Sequence, residues 1–311
     1  MGLQATAVTV NALFTNARDV LLNRYNEYVP QFEGIYSLEP STGVRNAYPV
    51  IAASAAMSRL SGAPEYKDLF LKALFVENGD PWAEFMSIKR RDVELQASMS
   101  YLTTIAKTYG VAAKALVDDL IVTGLQAGAT TAWIDGVNFF ATNHPNSPNG
   151  LVAGTWSNLH TGTALTPANF ETVLENMMGR LGWNGRSMNF RGKIELVVPW
   201  ALRSEGKRIV EQEKSSDPGV TTAGGNTNVN FGAAKLRICQ ALVSEATTWY
   251  LVAAGEDVKP IVIQEWRPTE VAWQMNPDSP AVFEQEEFRA KVSRGLEYCL
   301  LDPHYISKAV A

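Results

Sequence analysis

Between Asp92 and Gln126 the sequence keeps a single apolar stripe. Leu95, Met99, Leu102, Ile105, Tyr109, Ala112, Leu116 and Leu120 follow one another at steps of three or four residues. That spacing places them on one face of an α-helix. At a rise of about 1.5 Å per residue the helix is predicted to run roughly 50 Å, far beyond the mean globular helix. Asp92 suits the N-cap, Gly128 the stop, and Gly110 a bend. Such a helix is either the spine of an extended subunit or the long helix of an ordinary α+β protein.

Composition narrows the classes. The 311 residues are 46% hydrophobic and 19% charged, enough for a real core and too little charge for a disordered chain. Lys+Arg 27 against Asp+Glu 32 gives a net charge of −5, so sequence-independent phosphate binding is disfavoured as the main task. A local basic face remains open. Cys239 and Cys299 form no CxxC, and His144, His160 and His304 have no zinc-knuckle spacing. Both thiols read as small core residues in a reducing compartment. No apolar run approaches a membrane span, and the first residues lack a basic start and apolar stretch. The expectation is a soluble chain, intracellular when made, with no membrane contact.

Around the long helix, residues 11–26 read as an amphipathic helix. Tyr28 to Gly43, with Pro30, Gly34, Pro40 and Gly43 among aromatics, reads as an extended arm. Such an arm needs cover, from its own body or from a neighbouring subunit. Asp68 to Glu77 and Trp82 to Lys89 flank Asn78-Gly79-Asp80-Pro81, which predicts a long hairpin closed by a type I′ turn. The first of these runs is also compatible with helix. Thr166-Pro167 opens a second helix with Phe170, Val173, Leu174, Met177 and Met178 on its apolar face. Lys193 to Pro199 is a buried strand, 200–213 a short helix, and 215–230 a polar glycine-rich loop. Strands follow at Leu236 to Leu242, Thr248 to Ala253, Ile261 to Trp266, Val271 to Met275 and Phe288 to Tyr298.

Chemistry is sparse. Asp135 and His144 could make an acid–base pair, which supports a hydrolase as a distant alternative. No GxSxG, Cys–His pair or carboxylate cluster supplies a nucleophile beside them, so a structural role tying down a Pro turn is preferred. Asp118-Asp119 reads as a helical surface pair. Glu284, Glu286 and Glu287 read as a solvated strand face without a third hard ligand. Ala223-Gly224-Gly225-Asn226 lacks the GxGxxG and P-loop patterns. Arg59, Lys67, Lys72, Lys89, Arg90 and Arg91 gather around the predicted hairpin, as edge protection or as partners for acidic residues of a neighbour. No catalytic, cofactor-binding or metal residues are assigned.

Trp133-Ile134-Asp135-Gly136-Val137-Asn138-Phe139-Phe140-Ala141-Thr142-Asn143-His144-Pro145 carries the pattern DGxxFFxTxHP. With the segments that follow, it resembles the major head subunit of Mu-type phages (the T-protein family), a branch of the Hong Kong 97-type capsid fold. Leu165-Thr166 through Met177-Met178, Asn184-Gly185-Arg186, and Leu196 to Pro199 with Leu202 keep the family's order and spacing. So do Trp249-Tyr250-Leu251, Lys259-Pro260 with Gln264 and Pro268, Asp278 to Phe283, Glu287-Phe288, and Val292 with Arg294-Gly295. The resemblance covers 65–310.

It implies an α+β capsid fold with an N-terminal arm at 1–40 and an E-loop region at 41–91. A P domain would span 92–198 and 261–311, with the spine helix at about 92–126, and an A domain 199–260. It further implies a virion capsid protein, not an enzyme, assembled in the host bacterial cytoplasm into hexamers and pentamers of an icosahedral shell. A separate scaffold protein, a portal, a decoration protein and packaged double-stranded DNA held by non-specific contact would be the partners. An encapsulin-like compartment is the alternative within the same fold class. Lys–Asn crosslinks, known in some capsids of this class, would call on Lys67, Lys72 or Lys89, but no matching acid–Asn set is evident. Removing 68–88 is expected to leave a soluble chain that cannot assemble.

Overall fold

A computed structural model describes residues 7–50, 72–92, 99–147, 152–188, 190, 194–214, 227–276 and 278–311. The first half holds α1 (Ala7–Glu27), β1 (Tyr36–Pro40), β2 (Arg45–Pro49), β3 (Ala73–Glu77), β4 (Trp82–Lys89) and α2 (Met99–Ala127). The middle holds β5 (His144–Pro145), β6 (Thr155–Trp156), β7 (Leu159–Thr161), α3 (Pro167–Met178), β8 (Ile194–Pro199) and α4 (Arg203–Val210). The rest comprises β9 (Lys235–Cys239), β10 (Thr248–Ala253), β11 (Ile261–Gln274), α5 (Pro280–Gln285), β12 (Glu287–Leu300) and β13 (Ile306–Val310).

The long helix is present from Met99 to Ala127 and stops before Gly128, as the stripe predicts. Arg90, Arg91 and Asp92 are already helical, so Asp92 does not stand as an N-cap, and Leu95 lies outside the described residues. Leu102, Leu120, Ile121 and Leu125 are buried along α2. Gly110 is a crossing point and not simply a bend. A Cβ there would press into the carbonyl oxygen of Leu21, so α1 passes over α2 at backbone contact.

Two sheets flank α2. One has the order β1-β11-β12-β4, with β1 parallel to β11 and the other pairs antiparallel. Its inner face meets α1 and α2 through Phe14, Met86, Ile88, Phe288 and Ala290. The other sheet runs β7-β13-β10-β8-β9. Val197, Tyr250 and Val252 point from it into the α2 core, while Leu196, Val198, Trp249 and Leu251 face α3 and α4. Cover on both faces explains why β8 and β10 are buried at every position and read as continuous apolar runs. Thr166 caps α3 by accepting from the Asn169 amide at 3.2 Å, with Pro167 in the first turn.

Three expectations change, and one alternative left open by the sequence, the second below, is decided. First, the run before Asn78 pairs with β2 and not with β4 (Arg45↔Glu77 through Pro49↔Ala73), while β4 pairs with β12. The ribbon is thus β2–β3, and its continuation, 51–71, lies outside the described residues. Second, the arm at 28–43 is covered by its own body: Phe32 and Ile35 are buried, and Tyr36–Pro40 joins the sheet. Third, 261–266 and 271–275 are one strand, β11, with register shifts at Glu265/Arg267 and Arg267/Glu270. Fourth, Glu284 lies on the short helix α5, so the alternation argument for Glu284 and Glu286 fails, although both remain exposed.

Candidate assembly surfaces

The acid–base pair singled out in the sequence does form, inside the protein. Gly136, at φ +95, turns the chain so that Asp135 faces His144 across nine residues. Asp135 Oδ2 lies 2.6 Å from His144 Nδ1, and Asp135 Oδ1 accepts from the Val137 amide at 3.1 Å. His144 Nε2 lies 3.2 Å from both the Phe139 carbonyl oxygen and Asn158 Oδ1. Asn158, missed in the sequence, donates Nδ2 to Phe139 O at 2.8 Å and accepts the Ala141 amide at 2.9 Å. Trp156 stacks on the imidazole at 4.4 Å, and the side chains of Asp135 and His144 are no more than 1% exposed. A general acid–base pair must reach a substrate proton. This one is sealed, and its work is to tie residues 135–144 to Trp156 and Asn158.

Beside it, Arg180 is fully buried and serves the C-terminal strand. Its Nη1 donates to Pro303 O (3.2 Å), His304 O (2.7 Å) and Ile306 O (3.0 Å). Its Nη2 donates to Ser157 O at 3.2 Å and to Ser307 Oγ. Asp302 and His304 pair at 2.7 Å in the same nest. Burial, helped by the Arg180 cation, pulls His160 down to about 4. An unfolded His160 titrates near 6.5, so between those values the unfolded chain binds the extra proton. Stability is therefore expected to fall as pH drops from about 6.5 towards 4. A urea midpoint series should show that slope and find it flattened in His160→Gln; an equal slope in both would rule His160 out as its source.

Asp118 corrects another expectation. It is buried, whereas Asp119 is exposed. Tyr28 donates its hydroxyl to Asp118 Oδ2 at 3.0 Å and the Phe32 amide donates to Oδ1 at 3.3 Å. Burial raises its pKa, only partly offset by these donors and the Gln31 amide. Gln31 Oε1 in turn accepts from the Gln240 and Ala241 amides at 2.5 and 3.1 Å. Residues 28–32 thus bind the front of the chain to α2 and to the second sheet. The two cysteines are buried, and burial pushes both up to about 12, so neither is a reactive thiol.

What remains for function is outside. Val44 is 83% exposed and Phe75 57%, both at the β2–β3 ribbon. Trp82 and Phe85 are exposed on β4, an edge of its sheet. Trp200 and Val243 stand out from neighbouring 3₁₀ turns at the ends of β8 and β9. A groove of about 420 Å³ runs between α2 and the β4–β12 edge, lined by Trp82, Tyr109, Ala112, Leu116 and Val292. Lys89, Arg90 and Arg91 are exposed where β4 ends, and Lys72 Nζ donates to Ile134 O at 2.7 Å. Arg59, Lys67 and Ala223 to Asn226 lie outside the described residues. Among the described residues no group of three His, Cys, Asp or Glu is placed to hold a metal, and no helix is long and apolar enough to cross a membrane.

A chain whose conspicuous chemistry is sealed, and whose bulky apolar residues project from ribbons, edges and turns, is built to be covered by other chains. Its fold is mixed α+β and matches the Hong Kong 97-type capsid proteins. The procapsid protein of bacteriophage JBD30 superposes with a TM-score of 0.62 at 19% identity, covering 98% of this chain and 76% of that one. The mature capsid of bacteriophage PhiM1 gives 0.54 at 12% identity, with 91% and 87% covered. A virus-like particle from Pyrococcus furiosus gives 0.52 at 11%, with 95% and 98% covered. No curated protein matches the sequence. The model of the family "Mu-like prophage major head subunit gpT" matches residues 10–166 and 232–298, and the chain belongs to that family. It is a major head protein, a structural component of the phage virion capsid that self-assembles into an icosahedral shell, and not an enzyme.

Proposed function

We propose that this subunit closes its shell by laying the β2–β3 ribbon and its continuation over neighbouring copies. In this reading, 41–91 is the E-loop region, 1–40 the N-terminal arm and 92–126 the spine. The spine belongs to a P domain of 92–198 with 261–311, and 199–260 form the A domain. Head-to-tail contacts between A domains give hexamers and pentamers, and curvature between rings closes the particle.

The observation that carries the reading is the ribbon. Among the described residues β2 and β3 pair only with each other, the outer face exposes Phe75, and Arg45 lies 4.0 Å over that ring. An isolated two-stranded ribbon is marginal in water. Covering it on a neighbour removes apolar area from water at roughly 25 cal/mol per Å², and permanent assemblies bury upwards of about 2,000 Å².

The test moves with the corrected pairing. Removing 68–88 would cut β4 out of the sheet and unfold the body. Replacing 51–71 by a short Gly/Ser link spares every described strand. Expected is a soluble, folded chain that sediments as free subunits or small rings and makes no shells. Uniform shells from that variant would overturn the reading. A separate scaffold, a portal, a decoration protein and loosely held double-stranded DNA complete the proposal, and a net charge of −5 suits a wall that must not grip phosphate.

A further inference from the structure

We infer that Gln264 is the positioning residue that fixes the angle at which the β2–β3 ribbon leaves the body, and through that angle the uniformity of the shell. The inference rests on the reading of the ribbon as an intersubunit contact.

Gln264 lies on β11 and is completely buried, an unusual place for an amide with four hydrogen-bonding positions. Its two ends hold the two ribbon strands. Oε1 accepts from the Tyr48 hydroxyl of β2 at 2.9 Å, and Nε2 donates to Oδ1 of Asn78, the residue that follows β3. Asn78 passes the constraint on: its Nδ2 donates to Gly43 O at 2.6 Å and to Ser41 Oγ at 3.1 Å. The Asn78 amide donates to Val44 O at 3.0 Å, and the Ser41 amide to Glu265 O at 2.8 Å. Entry strand, exit strand and the 41–44 turn are therefore tied to one side chain of the main sheet.

Geometry explains why a glutamine stands there. A hydrophobe of similar size would fill the space, yet it would leave the Asn78 carbonyl oxygen unpartnered and the ribbon free to pivot. Apolar contacts are non-directional, whereas an amide accepting on one side and donating on the other admits few orientations. A half-satisfied buried network is worse than none, so the clamp holds as a unit. A ribbon that wobbles at its root by a few degrees moves its far end by ångströms, and quasi-equivalent neighbours would then be met at variable height.

Spin labels at A47C and T123C report the angle, since both positions are exposed while Cys239 and Cys299 are buried with thiols pushed up to about 12, so neither takes up the label. Two variants are compared with the parent. Tyr48→Phe removes one hydroxyl, and Gln264→Leu removes both ends of the clamp. Expected is a distance distribution that widens in Tyr48→Phe and at least doubles in width in Gln264→Leu, with unchanged far-UV circular dichroism. Label-free particles of the same variants should show a broadened spread of shell diameters by electron microscopy, in the same order. Widths equal to the parent's in Tyr48→Phe, and in Gln264→Leu where it folds, would overturn the clamp. Wider distances with uniform shells would overturn its role in assembly. The 51–71 replacement separates the two ideas: if it still makes shells the ribbon reading fails, while the distance widths continue to decide the clamp.

Discussion

Arg180→Ala is expected to cost the free subunit a large share of its stability. Its guanidinium gathers four carbonyl oxygens and one hydroxyl from three separate stretches, Ser157, 303–304 and 306–307. Without it, those oxygens stay buried against Trp156, over which Arg180 lies at 4.8 Å, with no donor to replace it. Burial works against the charge, and only Asp302 among the neighbouring acids supports it, so the fork geometry must supply the rest. Breaking a buried charged network costs about 3–5 kcal/mol. A domain of this kind commands about 5–15 kcal/mol in total. The loss therefore reaches a large share of the whole, and it falls on the segment that leads into β13, the strand between β7 and β10. Arg180→Lys keeps the charge but offers three donors on a point-like head, so it should recover less than half of the stability. Urea unfolding of the free subunit measures both variants. A drop under about 1 kcal/mol in Arg180→Ala would mean that water enters and satisfies the oxygens.

How much of this was readable beforehand follows from which interactions are local. The stripe of α2, the Thr166-Pro167 start of α3 and the apolar runs of β8 and β10 are written within a few residues of one another, and each appears where the pattern places it. Asp135 and His144 lie near enough in sequence for their pairing to be foreseen, though not their burial. Asn78-Gly79 shows how a local signal is outvoted. Gly79 does not adopt a positive φ, and Asn78 is held instead by Ser41, Gly43 and Gln264, the last 186 residues away. Asp118 looked exposed beside Asp119 because its donors, Tyr28 and Phe32, sit 90 and 86 residues upstream. Arg180 left no trace at all, since four of its five partners are main-chain oxygens, which have no residue signature. The family motifs supplied the fold where local physics stopped. They did not reveal which strand pairs with β3.

Gly110→Val should release the front of the chain while sparing the rest. On helix propensity alone, replacing glycine stabilises α2 by a few tenths of a kcal/mol to about 1 kcal/mol. Contact decides otherwise. The new Cβ would overlap the Leu21 carbonyl oxygen and stand 3.2 Å from the Tyr25 amide nitrogen, both of them backbone atoms of α1 that cannot rotate away. α1 must therefore lift. What holds it down is Phe14, Ala17 and Leu21, all buried, with Phe14 4.8 Å from the Trp273 ring and Lys114 4.7 Å over Tyr25. Burying Phe14 and Leu21 is worth about 1.5–3 kcal/mol each, and an undocked helix of this length is marginal in water. Partial lifting forfeits most of that at once, so the helix should undock as a unit. Hydrogen exchange is the direct readout: amides of 14–27 should lose nearly all protection, while those of β8, β10 and the second half of α2 keep theirs. The Asp118 tether to Tyr28 and Phe32 marks the boundary, since it holds the chain on the far side of the crossing. Protection retained in 14–27 would mean that α1 slides along α2 without leaving it, and Gly110 would then be a convenience of the crossing and not its condition.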